Sequence, residues 1–257
     1  MNQTEKRLFL IRSLFNEQPR YQGMEIPCIE AEQKRMLRSL LNIRMPGEIS
    51  DEFLNVQDEY LREETRQKGI TNPAGLSAVE PGLYLWKGDI TTLACDAIVN
   101  AANSGMTGCY QPCHNCIDNC IHTYAGIQLR NACARIMEKQ GYEEPTGRAK
   151  ITPAYNLPCK YVIHTVGPIV QGELTERHED LLAACYRSCL ELAEPNGVKS
   201  IAFCCISTGV FGFPQRRAAE IAVQTVKDYR EKTHSNIEVI FNVFKDEDYD
   251  IYRDLLG

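Results

Sequence analysis

From residue 83 onward the chain alternates short, almost unbroken apolar runs with stretches of helical periodicity, and that alternation admits few folds. The runs at 83–87, 96–100, 161–165, 200–207 and 237–244 read as strands, and 118–139, 179–193 and 214–230 read as helices between them. Strands without a polar face must be covered on both sides. The pattern therefore predicts an α/β domain, a central parallel or mixed sheet between two helical layers. Leu182, Cys185, Cys189 and Leu192 form one apolar helical stripe, and Ala219, Ala222, Val223 and Val226 form another. Pro214 suits a first helical turn. In sheets of this kind ligands gather beyond the carboxyl ends of the strands, so the segments that follow each run are the candidate contacts.

The first 75 residues follow a different rule. Leu8, Ile11, Leu14 and Phe15 recur at helical spacing, as do Met36, Leu37, Leu40 and Leu41, and 51–68 is charged and favours helix. Pro19, Pro27 and Pro46 divide the segment into short helices. It reads as a helical extension (1–75) packed on the main domain (76–257), with a separate partner-binding helix pair as the alternative. The stretch 1–15 carries Glu5, Lys6, Arg7 and Arg12 and does not read as a secretory signal. No apolar run approaches the roughly 18 residues of a membrane span. The chain is therefore expected in the cytoplasm and off the membrane. A net charge of −6 argues against a nucleic-acid partner.

Three of the segments that follow strands carry polar chemistry. Gly88-Asp89-Ile90-Thr91 presents a carboxylate that could accept from an adenine amino group or a ribose, or simply cap a turn. Asn100-Ala101-Ala102-Asn103 sets two amides at a strand end, beside small residues that permit close approach. Ser207-Thr208-Gly209-Val210-Phe211-Gly212-Phe213-Pro214 leads from strand to helix, and free backbone N–H groups at a helix N-terminus suit a diphosphate.

The cysteines sharpen the picture. Of twelve, Cys185, Cys189, Cys204 and Cys205 read as core, and Cys28, Cys95, Cys133 and Cys159 are scattered. Cys109, Cys113, Cys116 and Cys120 share one stretch with His114 and His122. Thiolate with imidazole suits zinc, and an intracellular setting disfavours disulfides. A closed structural site and an open catalytic one both fit this supply of ligands. Asp118, inside the cluster, favours the catalytic one, because a carboxylate there can orient or deprotonate a water.

Taken in order, the three segments, together with Asp96-Ala97-Ile98-Val99 ahead of Asn100 and Ile163-His164-Thr165-Val166-Gly167-Pro168, resemble a macrodomain of the ADP-ribosyl hydrolase branch over about residues 75–257. In that branch a glycine-rich loop leads into a Val-Asp-Gly-Ala-Ile-His segment. Here the cysteine and histidine cluster replaces the glycines, and Ile117-Asp118-Asn119-Cys120-Ile121-His122 follows. This is similar to the zinc-dependent macrodomains of bacteria, which also carry a helical N-terminal extension.

The resemblance implies a three-layer αβα macrodomain with a central mixed sheet, and the following roles. Asp89 binds the adenine amino group with Ile90 nearby; Asn103, supported by Asn100, meets the distal ribose. Ser207, Thr208, Gly209, Val210, Phe211 and Gly212 wrap the diphosphate, and Phe244 stacks on adenine. Cys109, His114 and Cys116 are the zinc ligands, Cys113 and Cys120 are additional thiols, and Asp118 is the catalytic acid of the loop. His122 is expected to pack on a helix face and His164 to be satisfied within its strand. The implied activity is zinc-dependent removal of ADP-ribose from modified carboxylate side chains, with deacylation of O-acetyl-ADP-ribose as a related reaction. The implied partner is an ADP-ribosylated protein, a lipoylated carrier modified by a sirtuin-like transferase, and ADP-ribose is the product. The alternative is a non-catalytic reader of ADP-ribose with a structural zinc.

Overall fold

The computed structural model describes residues 1–257. Three helices come first: α1 (Gln3–Asn16), α2 (Glu30–Ile43) and α3 (Asp51–Lys68). Two of them begin at side-chain caps. Asn2 accepts from the Glu5 amide while Glu5 accepts from the Asn2 amide, and the Ser50 hydroxyl accepts from the Phe53 amide. The helices bury Leu10, Leu14, Leu37, Leu40, Phe53 and Tyr60 against one another, in a core of 11 residues to which the rest of the chain adds only Ile127.

The remaining elements are β1 (Ala78–Glu80), β2 (Leu83–Lys87), β3 (Ala97–Ala102), α4 (Ile117–Ala125), α5 (Ile127–Gln140), β4 (Ala149–Pro153), β5 (Tyr161–Val166), α6 (Glu176–Ala193), β6 (Ser200–Phe203), α7 (Gln215–Thr233), β7 (Glu238–Val243) and α8 (Asp246–Leu256). The strands form one sheet in the order β1-β2-β7-β6-β3-β5-β4. The inner strands β2, β7, β6, β3 and β5 are all parallel, and each edge strand is antiparallel to its neighbour. The sheet is mixed and flanked by helices: α6, α7 and α8 pack side by side, and α4 and α5 lie with the N-terminal helices. Strands β3, β5 and β7 are buried along nearly their whole length, which is why they lack alternation, and they anchor a core of 46 residues.

Three elements depart from the sequence reading. The helix expected over 118–139 is two helices broken at Gly126, whose φ of 92° a side chain would resist; a Cβ there would also lie 2.7 Å from Gln57 Nε2. The run 200–207 is strand only to Phe203, because the chain then turns away and Ser207 takes a φ of 66°. The short edge strands β1 and β4 and the acidic helix α8 carry too little apolar pattern to stand out.

The N-terminal helices meet the sheet domain through polar groups. Gln57 accepts from the Ile127 amide and donates to Gln128, and Asp58 accepts from Gln128 and Asn156, both at 2.7 Å. The Arg130 guanidinium donates to the carbonyls of Leu41 (3.1 Å), Asn42 (2.7 Å) and Arg44 (2.6 Å), which satisfies the free end of α2.

Candidate active site

Because β2, β7, β6 and β3 run the same way, their carboxyl ends open on one edge of the sheet and bring Asp89, Phe244, Ser207 and Asn103 to it. Asp89 follows β2 and caps a short turn, accepting from the Thr91 amide at 3.0 Å and the Thr91 hydroxyl at 2.6 Å. Its other oxygen accepts from Lys68 at 2.9 Å. Burial opposes its charge, but Thr91 and Lys68 outweigh that and hold the carboxyl below the usual range. Ile90, beside it, is buried. Phe244 stands just past β7 and is 76% exposed, free to cover a planar group.

Residues 207–212 form an open turn between β6 and α7. The Gly212 amide donates to the Gly209 carbonyl and the Phe213 amide to the Ser207 carbonyl, while the amides of Thr208, Gly209, Val210 and Phe211 find no acceptor in the protein. Val210 is 80% exposed. The Ser207 hydroxyl is buried without a partner, and Gly167 must lack a side chain there, since its Cβ would come within 2.1 Å of that oxygen. Free amides gathered at one turn are donors of the kind that suit an anion.

Asn100 and Asn103 have separate tasks. Asn100 is fully buried, paired in register with His164; its Nδ2 donates to Asp118 Oδ1 at 2.8 Å and lies 3.1 Å from His164 Nδ1. Asn103 is half-buried, and its Nδ2 donates to the Gly108 carbonyl and, at 3.3 Å, to Asp118 Oδ2. Asn100 therefore orients Asp118 rather than facing a ligand, whereas Asn103 reaches the open side. Asp118 itself is buried in the first turn of α4, where burial pushes its carboxyl up to about 6 against the pull of Asn100, Arg130 and Asn103.

The ligand atoms of Cys109, His114 and Cys116 lie within 4.8 Å of one another, with Cys109 Sγ 3.7 Å from His114 Nδ1. Cys116 is the N-cap of α4 and its sulfur accepts from the Asn119 amide at 3.4 Å. Burial, with Cys109 beside it, pushes its thiol up to about 12. Two thiols and an imidazole at this spacing make a donor set that a soft divalent ion would stabilise. The other two thiols turn elsewhere: Cys113 Sγ donates to the Arg35 carbonyl, and Cys120 Sγ lies 3.6 Å from Arg38 Nη2.

A second group, His122, Cys133 and His164, is equally compact but fully buried. Asn100 donates to His164 Nδ1, which leaves the proton on Nε2, 3.0 Å from the Thr152 hydroxyl. His164 is thus satisfied inside the sheet with its lone pair in use. His122 packs against Gly108, where a Cβ would come within 2.8 Å of the ring. Sequence reading missed Arg38, Asn42, Lys68 and Arg130. The only available signal was the one-turn spacing of Arg38 and Asn42 on α2.

Residues 99–222 match the family model described as Macro domain. A protein of Treponema medium named protein-ADP-ribose hydrolase is 62% identical over 100% of this chain and 100% of its own. A Staphylococcus aureus protein of the same name is 47% identical over 96% of this chain and 93% of its own. The solved Oceanobacillus iheyensis macrodomain with ADP superposes at a TM-score of 0.63 and 38% identity, covering 70% of this chain and 93% of that one.

Proposed function

The chain belongs to the macrodomain family, and from that premise we propose that it is a zinc-dependent protein-ADP-ribose hydrolase, acting on ADP-ribose esterified to carboxylate side chains. The observation that carries this reading is Asp118: a buried carboxylate held at both oxygens by Asn100 and Asn103, two residues beyond Cys116. A module that only bound ADP-ribose would have no need of a carboxylate positioned in this way.

Each part of the substrate has a counterpart in the chain. The free amides of Thr208 to Phe211 take the diphosphate, with Ser207 and Gly212 shaping the turn. Asp89 accepts from the adenine amino group in the place Lys68 now occupies, Ile90 lines that side and Phe244 covers the base. Asn103 meets the distal ribose, and Asp118 accepts a proton from the attacking water at Oδ2, the oxygen that carries the longer of its two hydrogen bonds. Anchoring the ADP half confines the ester to the geometry in which attack succeeds. Cys109, His114 and Cys116 fit zinc, which when bound polarises a substrate oxygen and favours its developing negative charge. The ester of O-acetyl-ADP-ribose presents the same bond. The proposed source of the mark is a sirtuin-like ADP-ribosyltransferase acting on a lipoylated carrier protein in the cytoplasm.

Purified protein should carry about one zinc per chain and release ADP-ribose from a protein modified on aspartate or glutamate. Cys116→Ala should lose both metal and turnover. Asp118→Ala should lose turnover yet bind ADP-ribose. Full turnover after zinc removal overturns the mechanism, and tight ADP-ribose binding without turnover on any carboxylate-linked substrate establishes a reader.

A further inference from the structure

We propose that α2, in the N-terminal extension, is a working part of the metal site: Arg38 and Asn42 position the ligand loop, an inference that rests on reading Cys109, His114 and Cys116 as the zinc ligands. The stretch between β3 and α4 has no regular structure, so the directions of its side chains depend on what holds its backbone. Within itself the stretch offers little, such as the His114 amide donating to the Gln111 carbonyl at 3.2 Å. The rest comes from outside it.

Arg38 Nη2 donates to the backbone carbonyl of His114 at 2.6 Å and to Asn119 Oδ1 at 3.0 Å. Asn119 is completely buried and passes the constraint on, donating from Nδ2 to the carbonyls of Gln111 (3.0 Å) and Cys109 (3.3 Å). Its backbone amide meets the Cys116 sulfur. One guanidinium thus reaches the backbone of one ligand directly, and both other ligands through a single buried residue, Asn119, by its side-chain and backbone amides. Asn42, one turn further along α2, accepts from the Cys113 amide at 2.9 Å and donates to the Thr123 hydroxyl at 2.9 Å. It fixes the left-handed residue, Cys113 at φ 54°, that swings His114 toward Cys109. Arg130 anchors α2 in turn by capping its carbonyls.

Groups that orient metal ligands in this way carry measurable affinity although they never touch the ion. Their natural readout is the metal itself. Arg38→Met keeps the aliphatic stem and removes every donor, and Arg38→Lys keeps the charge and loses the planar fork. Zinc affinity by competition with a chelator should fall about 10- to 100-fold in Arg38→Met and less in Arg38→Lys. Cobalt(II) substituted for zinc should show shifted visible and thiolate-to-metal bands in both. ADP-ribose affinity should stay within about twofold of the parent, so that the loss falls on kcat rather than on nucleotide binding.

Asn42→Ser should reproduce the effect on a smaller scale and provides the test if Arg38→Met does not fold. Parental zinc affinity and cobalt spectra in Arg38→Lys and Asn42→Ser overturn the proposal. If the parent and Cys116→Ala take up zinc equally, the ligand assignment falls and the proposal falls with it. Loss of zinc in Cys116→Ala beside full zinc affinity in the Arg38 variants refutes the positioning role alone.

Discussion

The sheet domain closes over 46 buried apolar residues, whereas the core of the three N-terminal helices holds 11, Ile127 of α5 among them, and the helices meet that domain chiefly through Gln57, Asp58, Arg130 and Asn42. Apolar packing makes a unit; directed hydrogen bonds make a register between units. Sliding of the helices would break directed hydrogen bonds such as those of Gln57 to Ile127 and Gln128 and of Asp58 to Gln128 and Asn156. Resistance to sliding is the property needed where α2 rests on the loop proposed to hold the metal.

The contrast can be broken at either end. Phe241, between Leu85 of β2 and Phe203 of β6, is buried in the sheet core with its ring centroid 5.3 Å from that of Tyr252. Phe241→Ala should cost about 3–5 kcal/mol and lower the thermal midpoint of the whole sheet domain in a single calorimetric transition. Arg130→Met should cost less, about 3 kcal/mol, by leaving the α2 carbonyls without donors. Its signature should be local: faster amide exchange in α1–α3 with the sheet amides unchanged. Uniform acceleration across the sheet would show that the two units do not separate. Gly126→Ala forces a side chain into a left-handed position against Gln57 and should cost about 1–3 kcal/mol, read from denaturant midpoints.

The smallest effect belongs to Lys68→Met, which removes the ion pair between the end of α3 and Asp89. The pair is partly exposed and should contribute under about 1 kcal/mol. Its pH dependence has a definite sign. The folded carboxyl of Asp89 sits below its unfolded value, so its contribution is complete above about pH 4 and fades as pH falls through the depressed value. The parent and Lys68→Met should therefore converge in stability in acid.

The inner strands were legible in the sequence because burial on both faces imprints itself as an unbroken apolar run, and the strand-end segments at Asp89, Asn103 and Ser207 came with them. The join at Gly126 was not, since its cause is Gln57, far away in the chain. Among the cysteines, density alone marked the stretch, and local spacing could not distinguish Cys113 and Cys120 from Cys109 and Cys116, the two that converge with His114. What separates them is the face of the loop covered by α2. Asn100 shows the same limit: its residue type suggested a ligand contact, but the parallel register beside His164 turns it inward to Asp118. Arg38 lies on a polar helix face that, read alone, is indistinguishable from a solvated one.

The positions of the site residues along the chain also set an order in time. Arg38, Asn42, Cys109, His114, Cys116 and Asp118 are all synthesised before α5, whereas the turn proposed to take the diphosphate begins at Ser207, and Phe244, proposed to cover the adenine, comes later still. A nascent chain thus carries all four thiols of this stretch while more than a hundred residues of the sheet domain remain to be translated. The cluster of sulfur and imidazole is made soon after the helix that packs on it, and before β6 and β7. Early capture of the proposed zinc would protect those thiols from oxidation until the rest of the sheet domain is made.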